Sequence, residues 1–121
     1  MANSRMLSCY HRNAMTKKPS NDPVLTRFRA AVTEIYGERA ERVVLFGSRA
    51  RGDAKPDSDY DIAVFLTDGG TFSDEAARLA AVSTNILYDT GAVISATPLP
   101  AGAYRDRTGF MHELRKDGRD L

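Results

Sequence analysis

Residues 43–66 read Val-Val-Leu-Phe-Gly-Ser-Arg-Ala-Arg-Gly-Asp-Ala-Lys-Pro-Asp-Ser-Asp-Tyr-Asp-Ile-Ala-Val-Phe-Leu. Two apolar runs, 43–46 and 62–66, flank a polar segment that begins with Gly47-Ser48 and ends with Asp59-Tyr60-Asp61. Short apolar runs bounded by turn residues are typical of buried strands. The stretch therefore predicts two strands joined by a polar loop, and the two ends of that loop carry different chemical groups.

The polar segment combines residues that suit phosphate with residues that suit a metal ion. Gly47 lets the backbone approach a ligand closely, and Ser48 adds a hydroxyl group. Alternate side chains of a strand share a face, so Asp59 and Asp61 are expected to point the same way, about 6.6 Å apart along the backbone. Mg²⁺ favours carboxylates together with substrate phosphates, so this pair predicts a magnesium site.

A triphosphate held by a turn and by a metal ion is the arrangement used in phosphoryl and nucleotidyl transfer, where positioning and charge neutralisation supply most of the rate. Arg49 and Arg51 are candidates to neutralise further phosphate charge. A P-loop is a poor alternative because Asp53-Ala54 replaces its Lys-Ser/Thr, and a calcium loop is a poor one because Ile62 replaces its glycine. A solvated turn with acidic residues at the mouth of a strand remains the plain structural alternative.

Composition limits the class of protein. At 121 residues, with 42% apolar and 27% charged residues, the chain is expected to form one globular domain. The formal net charge of +1 argues against non-specific binding of nucleic acid, and no direct nucleic-acid partner is expected. A single cysteine excludes an intrachain disulfide. The sequence has no run of about eighteen apolar residues, so no membrane span is predicted. It also shows no secretory signal, and a cytoplasmic location is expected.

The pattern along the chain predicts a disordered arm over residues 1–21 and a compact domain over residues 22–121, with either Met1 or Met15 compatible as the start. Helices are predicted to begin near Asp22-Pro23, near Ser73 and near Arg107, and to stop at glycines. Their inward residues are predicted to be Leu25, Phe28, Val32 and Ile35; Leu79, Val82, Ile86 and Leu87; and Phe110, Met111 and Leu114.

Strands are predicted over 42–46, 59–66 and 92–97, the last closed by Pro98-Leu99-Pro100. The order helix, strand, strand, helix, strand, helix predicts an α/β (α+β) fold with a small three- to four-stranded mixed sheet. The helices are expected to cover one face of that sheet.

The segment from Gly47-Ser48 to Asp59-Tyr60-Asp61 resembles the signature of the nucleotidyltransferase superfamily that includes DNA polymerase β. Within it, the chain looks like the minimal nucleotidyltransferases, small single domains found beside a HEPN-type partner. The resemblance implies that Asp59 and Asp61 bind Mg²⁺, that Gly47 and Ser48 hold the phosphates of ATP, and that a nucleotidylated acceptor is formed. Arg51 is a further candidate nucleotide contact.

Some members of that family are antitoxins that transfer AMP to a HEPN ribonuclease, so the resemblance implies a HEPN-type partner protein and a toxin–antitoxin role. The family usually carries a third carboxylate on the strand after the intervening helix, and here the corresponding position falls at Ser95. A serine is a poor base near neutral pH and a weak Mg²⁺ ligand. Two expectations follow: an AMP-transferring enzyme, or a catalytically weakened relative that neutralises its partner by binding.

Overall fold

The computed structural model describes residues 22–68 and 70–121. The predicted arm over residues 1–21 lies outside them. Among the described residues, no helix combines the length and apolar character needed to cross a membrane. In chain order the elements are α1 (Pro23–Tyr36), a 3₁₀ turn (Gly37–Arg39), β1 (Ala40–Phe46), α2 (Ser48–Arg51), β2 (Tyr60–Leu66), α3 (Phe72–Thr90), β3 (Ile94–Pro100), a second 3₁₀ turn (Ala101–Arg105), α4 (Gly109–Asp117) and β4 (Arg119–Asp120).

The four strands form one mixed sheet in the order β3-β2-β1-β4. β1 is antiparallel to both β2 and β4, whereas β2 and β3 are parallel and are connected through α3. The end of β1 and the beginnings of β2 and β3 therefore meet at one end of the sheet, which we call the loop end. This α+β architecture with a mixed sheet confirms the predicted fold class.

β3 continues to Pro100, so the prediction that Pro98-Leu99-Pro100 closes the strand is wrong. In the sheet as described, β3 is an edge strand, where a proline without an N–H can be accommodated. The Tyr60 N–H donates to the Val93 carbonyl at 2.9 Å. In a parallel pair every second residue directs its N–H and C=O groups towards the partner strand, so residues 98 and 100 direct theirs towards the open edge. Neither proline therefore removes a hydrogen bond to β2.

Helices cover both faces of the sheet, and the prediction of one covered face is wrong. α1 and α3 enclose one core, in which Phe28 and Leu79 pack near Ile62. α4 closes a second core on the opposite face, where Leu114 packs near Phe65. The reason lies in β2, whose residues from Ile62 to Leu66 are all buried. An unbroken apolar run is typical of a strand covered on both sides.

Three side chains predicted to point inward are substantially exposed: Ile35 at 44%, Leu87 at 43% and Phe110 at 49%. Each lies in the first or last turn of its helix, next to a residue that is buried. In α1, Tyr36 is buried in place of Ile35. The other predicted inward residues of the three helices are buried.

The helix boundaries follow the predicted glycines, since Gly37, Gly91 and Gly118 come directly after α1, α3 and α4. α1 begins at Pro23 as predicted, whereas α3 begins one residue before the predicted Ser73 and α4 two residues after the predicted Arg107. Thr71 caps α3 by accepting a hydrogen bond from the Asp74 N–H, and Thr108 caps α4 in the same way. A threonine hydroxyl satisfies an N–H that has no partner inside the helix, so these two residues set the starts.

A buried carboxylate lies at the end of the sheet opposite the loop end. The Glu75 side chain is 5% exposed and accepts hydrogen bonds from Arg39 at 2.9 Å and from Arg78 at 3.0 Å. The bond from Arg39 is the main cause that lowers the pKa of Glu75, against the effect of burial. Burial, followed by the neighbouring Glu75, raises the pKa of Tyr36 to about 12. This cluster ties the first 3₁₀ turn to α3.

Candidate active site

The turn after β1 needs glycine for two reasons. Gly47 has a φ of 76°, a backbone angle that residues with a side chain rarely adopt. A Cβ added there would overlap Oδ2 of Asp61 and would lie 3.3 Å from its Cγ. The Gly47 backbone therefore lies directly against the Asp61 carboxylate. Both halves of the sequence motif meet at the loop end of the sheet.

The chain turns from Gly47 straight into the short helix α2, which begins at Ser48. The N–H groups of Ala50 and Arg51 both donate hydrogen bonds to the Gly47 carbonyl, at 3.1 Å. The first N–H groups of a helix have no acceptor within the helix, so the N–H groups of Ser48 and Arg49 take no part in its hydrogen bonds. A turn that offers N–H groups and a hydroxyl beside a pair of carboxylates suits a phosphate that carries its own cation.

The two predicted carboxylates lie at the beginning of β2. Asp61 is half-buried and pairs in register with Phe46, whereas Asp59 is exposed and lies just outside the strand, which begins at Tyr60. Burial raises the pKa of Asp61, the charge of Asp59 raises it further, and the charge of Arg51 acts in the opposite direction. Asp59 and Arg51 are thus close enough to Asp61 for their charges to act on its carboxylate.

This environment fits a divalent cation. A carboxylate whose pKa is raised by burial and by a second carboxylate marks a place where a positive charge is stabilising. The described residues contain no cluster of three or more His, Cys, Asp or Glu side chains that could hold a metal ion. A site with two protein carboxylates is one that substrate phosphates and water complete, which is the usual environment of Mg²⁺.

The two arginines of the turn have different surroundings. Arg49 donates to the carbonyls of Ser58 and Pro56 at 2.8–3.1 Å, and its guanidinium lies 3.9 Å from the centre of the Tyr60 ring. It therefore holds the 52–59 loop, an arrangement that does not favour the predicted phosphate contact. Arg51 is exposed and makes a long contact of 3.4 Å to Asp53. Of the two, Arg51 is the better placed to meet a ligand.

A second contact that holds the site in place, besides those of Arg49, was not predicted from the sequence. The Tyr60 hydroxyl donates to Oδ2 of Asp22 at 2.6 Å, while Oδ1 of Asp22 accepts from the Val24 N–H at 2.8 Å. Burial is the first cause, and the bond to Asp22 the second, that raises the pKa of Tyr60. One aspartate thus caps α1 and fixes the residue between Asp59 and Asp61. The cap was predicted, but no local pattern joins residues so far apart in the chain.

Ser95 lies where the third carboxylate was expected. Asp61 pairs with Ser95 in the parallel register of β2 and β3, so the two side chains share a face of the sheet. Ser95 is exposed. The acid Asp89, at the C-terminal end of α3, forms an ion pair with Arg27 at 2.7 Å and does not take the place of a β3 residue.

Comparison with known proteins agrees with this geometry. Residues 25–94 match the family model described as "Nucleotidyltransferase domain". The chain is also 31% identical over 67 residues to a protein of Methanocaldococcus jannaschii that is described as a "Putative protein adenylyltransferase"; the match covers 54% of this chain and 68% of that protein. The predicted resemblance is confirmed, and the chain belongs to the nucleotidyltransferase domain family.

Proposed function

We propose that this protein is a Mg²⁺-dependent nucleotidyltransferase that transfers AMP from ATP to a hydroxyl group of a partner protein, as the antitoxin of a HEPN-type toxin. The observation that carries the proposal is the packing of the Gly47 backbone against the Asp61 carboxylate, with Asp59 and Arg51 beside it. The description of the archaeal relative supports a protein as the acceptor. The HEPN-type partner is proposed from the resemblance to minimal nucleotidyltransferases alone.

Each residue has a defined part in this proposal. Ser48 and the turn N–H groups bind the triphosphate, Asp59 and Asp61 hold the metal ion, and Arg51 offsets phosphate charge. The acceptor hydroxyl gives up its proton to water and its oxygen attacks the α-phosphorus. The bond from the α-phosphorus to the oxygen that bridges to the β-phosphate breaks, and pyrophosphate leaves with that oxygen. Bound magnesium supplies charge neutralisation for the triphosphate and for the leaving pyrophosphate.

The test uses ATP labelled at the α- or the γ-phosphate, together with Mg²⁺ and the candidate partner. Nucleotidyl transfer leaves the α-label, and not the γ-label, on the partner. The matched control is the double variant Asp59→Ala plus Asp61→Ala, which should remove the labelling while the fold is retained, because Asp59 is exposed and Asp61 half-buried. Absence of α-label on a partner that a related enzyme can modify would overturn the proposal.

A second candidate function is neutralisation of the partner by binding, with weakened catalysis. The observation that favours it is the pairing of Asp61 with Ser95, where the family usually has an acid. If the double aspartate variant still neutralises the partner and still binds it tightly, binding is sufficient. Ser95→Asp is the companion variant, since a large gain in transfer would identify a site weakened at this one position.

A further inference from the structure

Two aromatic rings stand beside the candidate site without a part in the proposed transfer. Phe46 ends β1 directly before Gly47, and its register partner is Asp61, so both side chains lie on the same face of the sheet. Phe110, in the first turn of α4, meets the Phe46 ring edge to face, with ring centres 5.5 Å apart and the planes at 90°. This pair joins the start of α4 to the loop end of the sheet.

Phe110 is half-exposed, although two other apolar residues of the same helix are buried. Met111 and Leu114 anchor α4 in the second core, with 3% and 2% of their surface exposed, whereas Phe110 keeps 49% of its surface exposed. Phe46 is itself partly buried under this contact. The Phe110 ring therefore contacts Phe46 and leaves about half of the side-chain surface of Phe110 open to solvent, next to the proposed triphosphate site.

The distance suits a nucleotide. Side chains directly opposite each other in an antiparallel pair have Cβ atoms about 4.5–5.5 Å apart, so Phe46 is an immediate neighbour of Asp61. One further ring separation of 5.5 Å reaches Phe110. In a nucleoside triphosphate, a ribose and one ester oxygen separate the base from the α-phosphate. A base whose phosphates lie at Gly47 is thus within reach of the Phe110 ring.

We propose that Phe110, held in place by Phe46, is the stacking platform for the base of the bound nucleoside triphosphate. The inference rests on the proposed function, because it takes the triphosphate to lie against Gly47 and the aspartates. A phenyl ring offers a π-face but no hydrogen-bonding group, so it distinguishes bases by stacking area. Purine triphosphates should therefore bind more tightly than UTP, and the difference should depend on Phe110.

The absence of tryptophan from the sequence allows a direct test. Phe110→Trp introduces a single tryptophan at the proposed platform, and Phe72→Trp is the matched control. Phe72 also follows a threonine cap and is 66% exposed, but it begins α3 at the opposite end of the sheet. With Mg²⁺ present, ATP should quench the fluorescence of Phe110→Trp and not that of Phe72→Trp. Inorganic tripolyphosphate should quench neither variant.

Calorimetry supplies the second measurement. Phe110→Ala should raise the Kd for MgATP about tenfold, as expected for the loss of one stacked base, and leave the Kd for tripolyphosphate unchanged. Phe72→Ala should change neither value, and Phe110→Tyr should restore ATP binding. The purine preference over UTP should disappear in Phe110→Ala.

The possible outcomes separate this inference from the proposed function. Wild-type binding of ATP and tripolyphosphate, without quenching in Phe110→Trp and without loss of affinity in Phe110→Ala, would overturn the stacking platform alone. Failure of the wild-type protein to bind either compound with Mg²⁺ would overturn both proposals. If Phe110→Ala does not fold, the quenching experiment decides, since a tryptophan preserves the aromatic contact with Phe46.

Discussion

Replacing Gly47 with alanine should damage the site in a way that replacing Gly52 with alanine does not. Both glycines have a positive φ, 76° and 88°. A Cβ at Gly47 would overlap the Asp61 carboxylate, whereas a Cβ at Gly52 would have no heavy atom within 4 Å. Both variants therefore place an alanine at positive φ, but Gly47 has a ψ of −158°, in a region that essentially only glycine adopts, whereas Gly52 is in the left-handed helical region. They differ further in the contact with Asp61.

The strain and the contact have different consequences. An alanine held in the left-handed region costs about 1–2 kcal/mol, so Gly52→Ala should lose stability by that amount. Gly47→Ala should lose more, because its backbone is in a region that essentially only glycine adopts. For a domain near this size, each kcal/mol lowers Tm by roughly 4–8 °C. Gly47→Ala must also move the Asp61 carboxylate or the turn by about an ångström to restore a normal contact. Misplacement of that size reduces a reaction rate by about a hundredfold.

Thermal unfolding, calorimetric binding of MgATP and the labelling assay together measure these effects. We expect a larger loss of Tm in Gly47→Ala than in Gly52→Ala, and a large loss of MgATP binding and transfer only in Gly47→Ala. A Gly47→Ala protein that binds MgATP as tightly as Gly52→Ala would refute the reasoning, because the close packing of turn and carboxylate would then have no functional consequence.

Three further predictions concern the scaffold. Glu75→Gln should destabilise the protein by about 2 kcal/mol in urea unfolding at pH 7, because a nearly buried carboxylate loses its charge-assisted bonds from two arginines. The folded-state pKa of Glu75 lies below its ordinary 4.5, so the free energy of unfolding of the wild type should fall as the pH drops below about 4.5. The difference in this free energy between wild type and Glu75→Gln should therefore narrow at low pH, and a constant difference would contradict this account. Tyr60→Phe removes the 2.6 Å bond to Asp22 and should cost about 1 kcal/mol in the same assay, and an unchanged midpoint would show that the bond contributes nothing. Leu114→Ala should cost about 2–5 kcal/mol, whereas a loss below about 0.5 kcal/mol would mean that α4 does not form a core on the second face.

The parts of the site that could be predicted from sequence are those set by near neighbours. Gly47-Ser48 and the two aspartates flank apolar runs whose lengths define β1 and β2, so the loop between them had to start and end at the same end of an antiparallel pair. The glycines that end the helices act through their own backbone angles, or through the absence of a side chain. Such features need no knowledge of the rest of the fold.

The remaining features depend on residues that are distant in the chain. Arg49 could be a phosphate ligand or a loop brace by its type alone, and only its position over Tyr60 decides for the loop. The Asp22–Tyr60 bond joins the cap of α1 to β2 across 38 positions. The exposure of Phe110 follows from the packing of α4 on the second face, which apolar spacing within one helix cannot reveal.

The two candidate functions differ in the expected rate of AMP transfer, but not in the expected binding of nucleotide. The contact of Gly47 with Asp61, the loop brace of Arg49 and the bond from Tyr60 to Asp22 all form without a contribution from residue 95. Ser95 therefore leaves these contacts of the proposed triphosphate site intact, and removes the negative charge that an acid would place on the same face of the sheet as Asp61. Tight binding of MgATP is then expected from an active enzyme and from a weakened one alike. It follows that the rate of AMP transfer, compared between wild type and Ser95→Asp, distinguishes them, whereas nucleotide affinity does not.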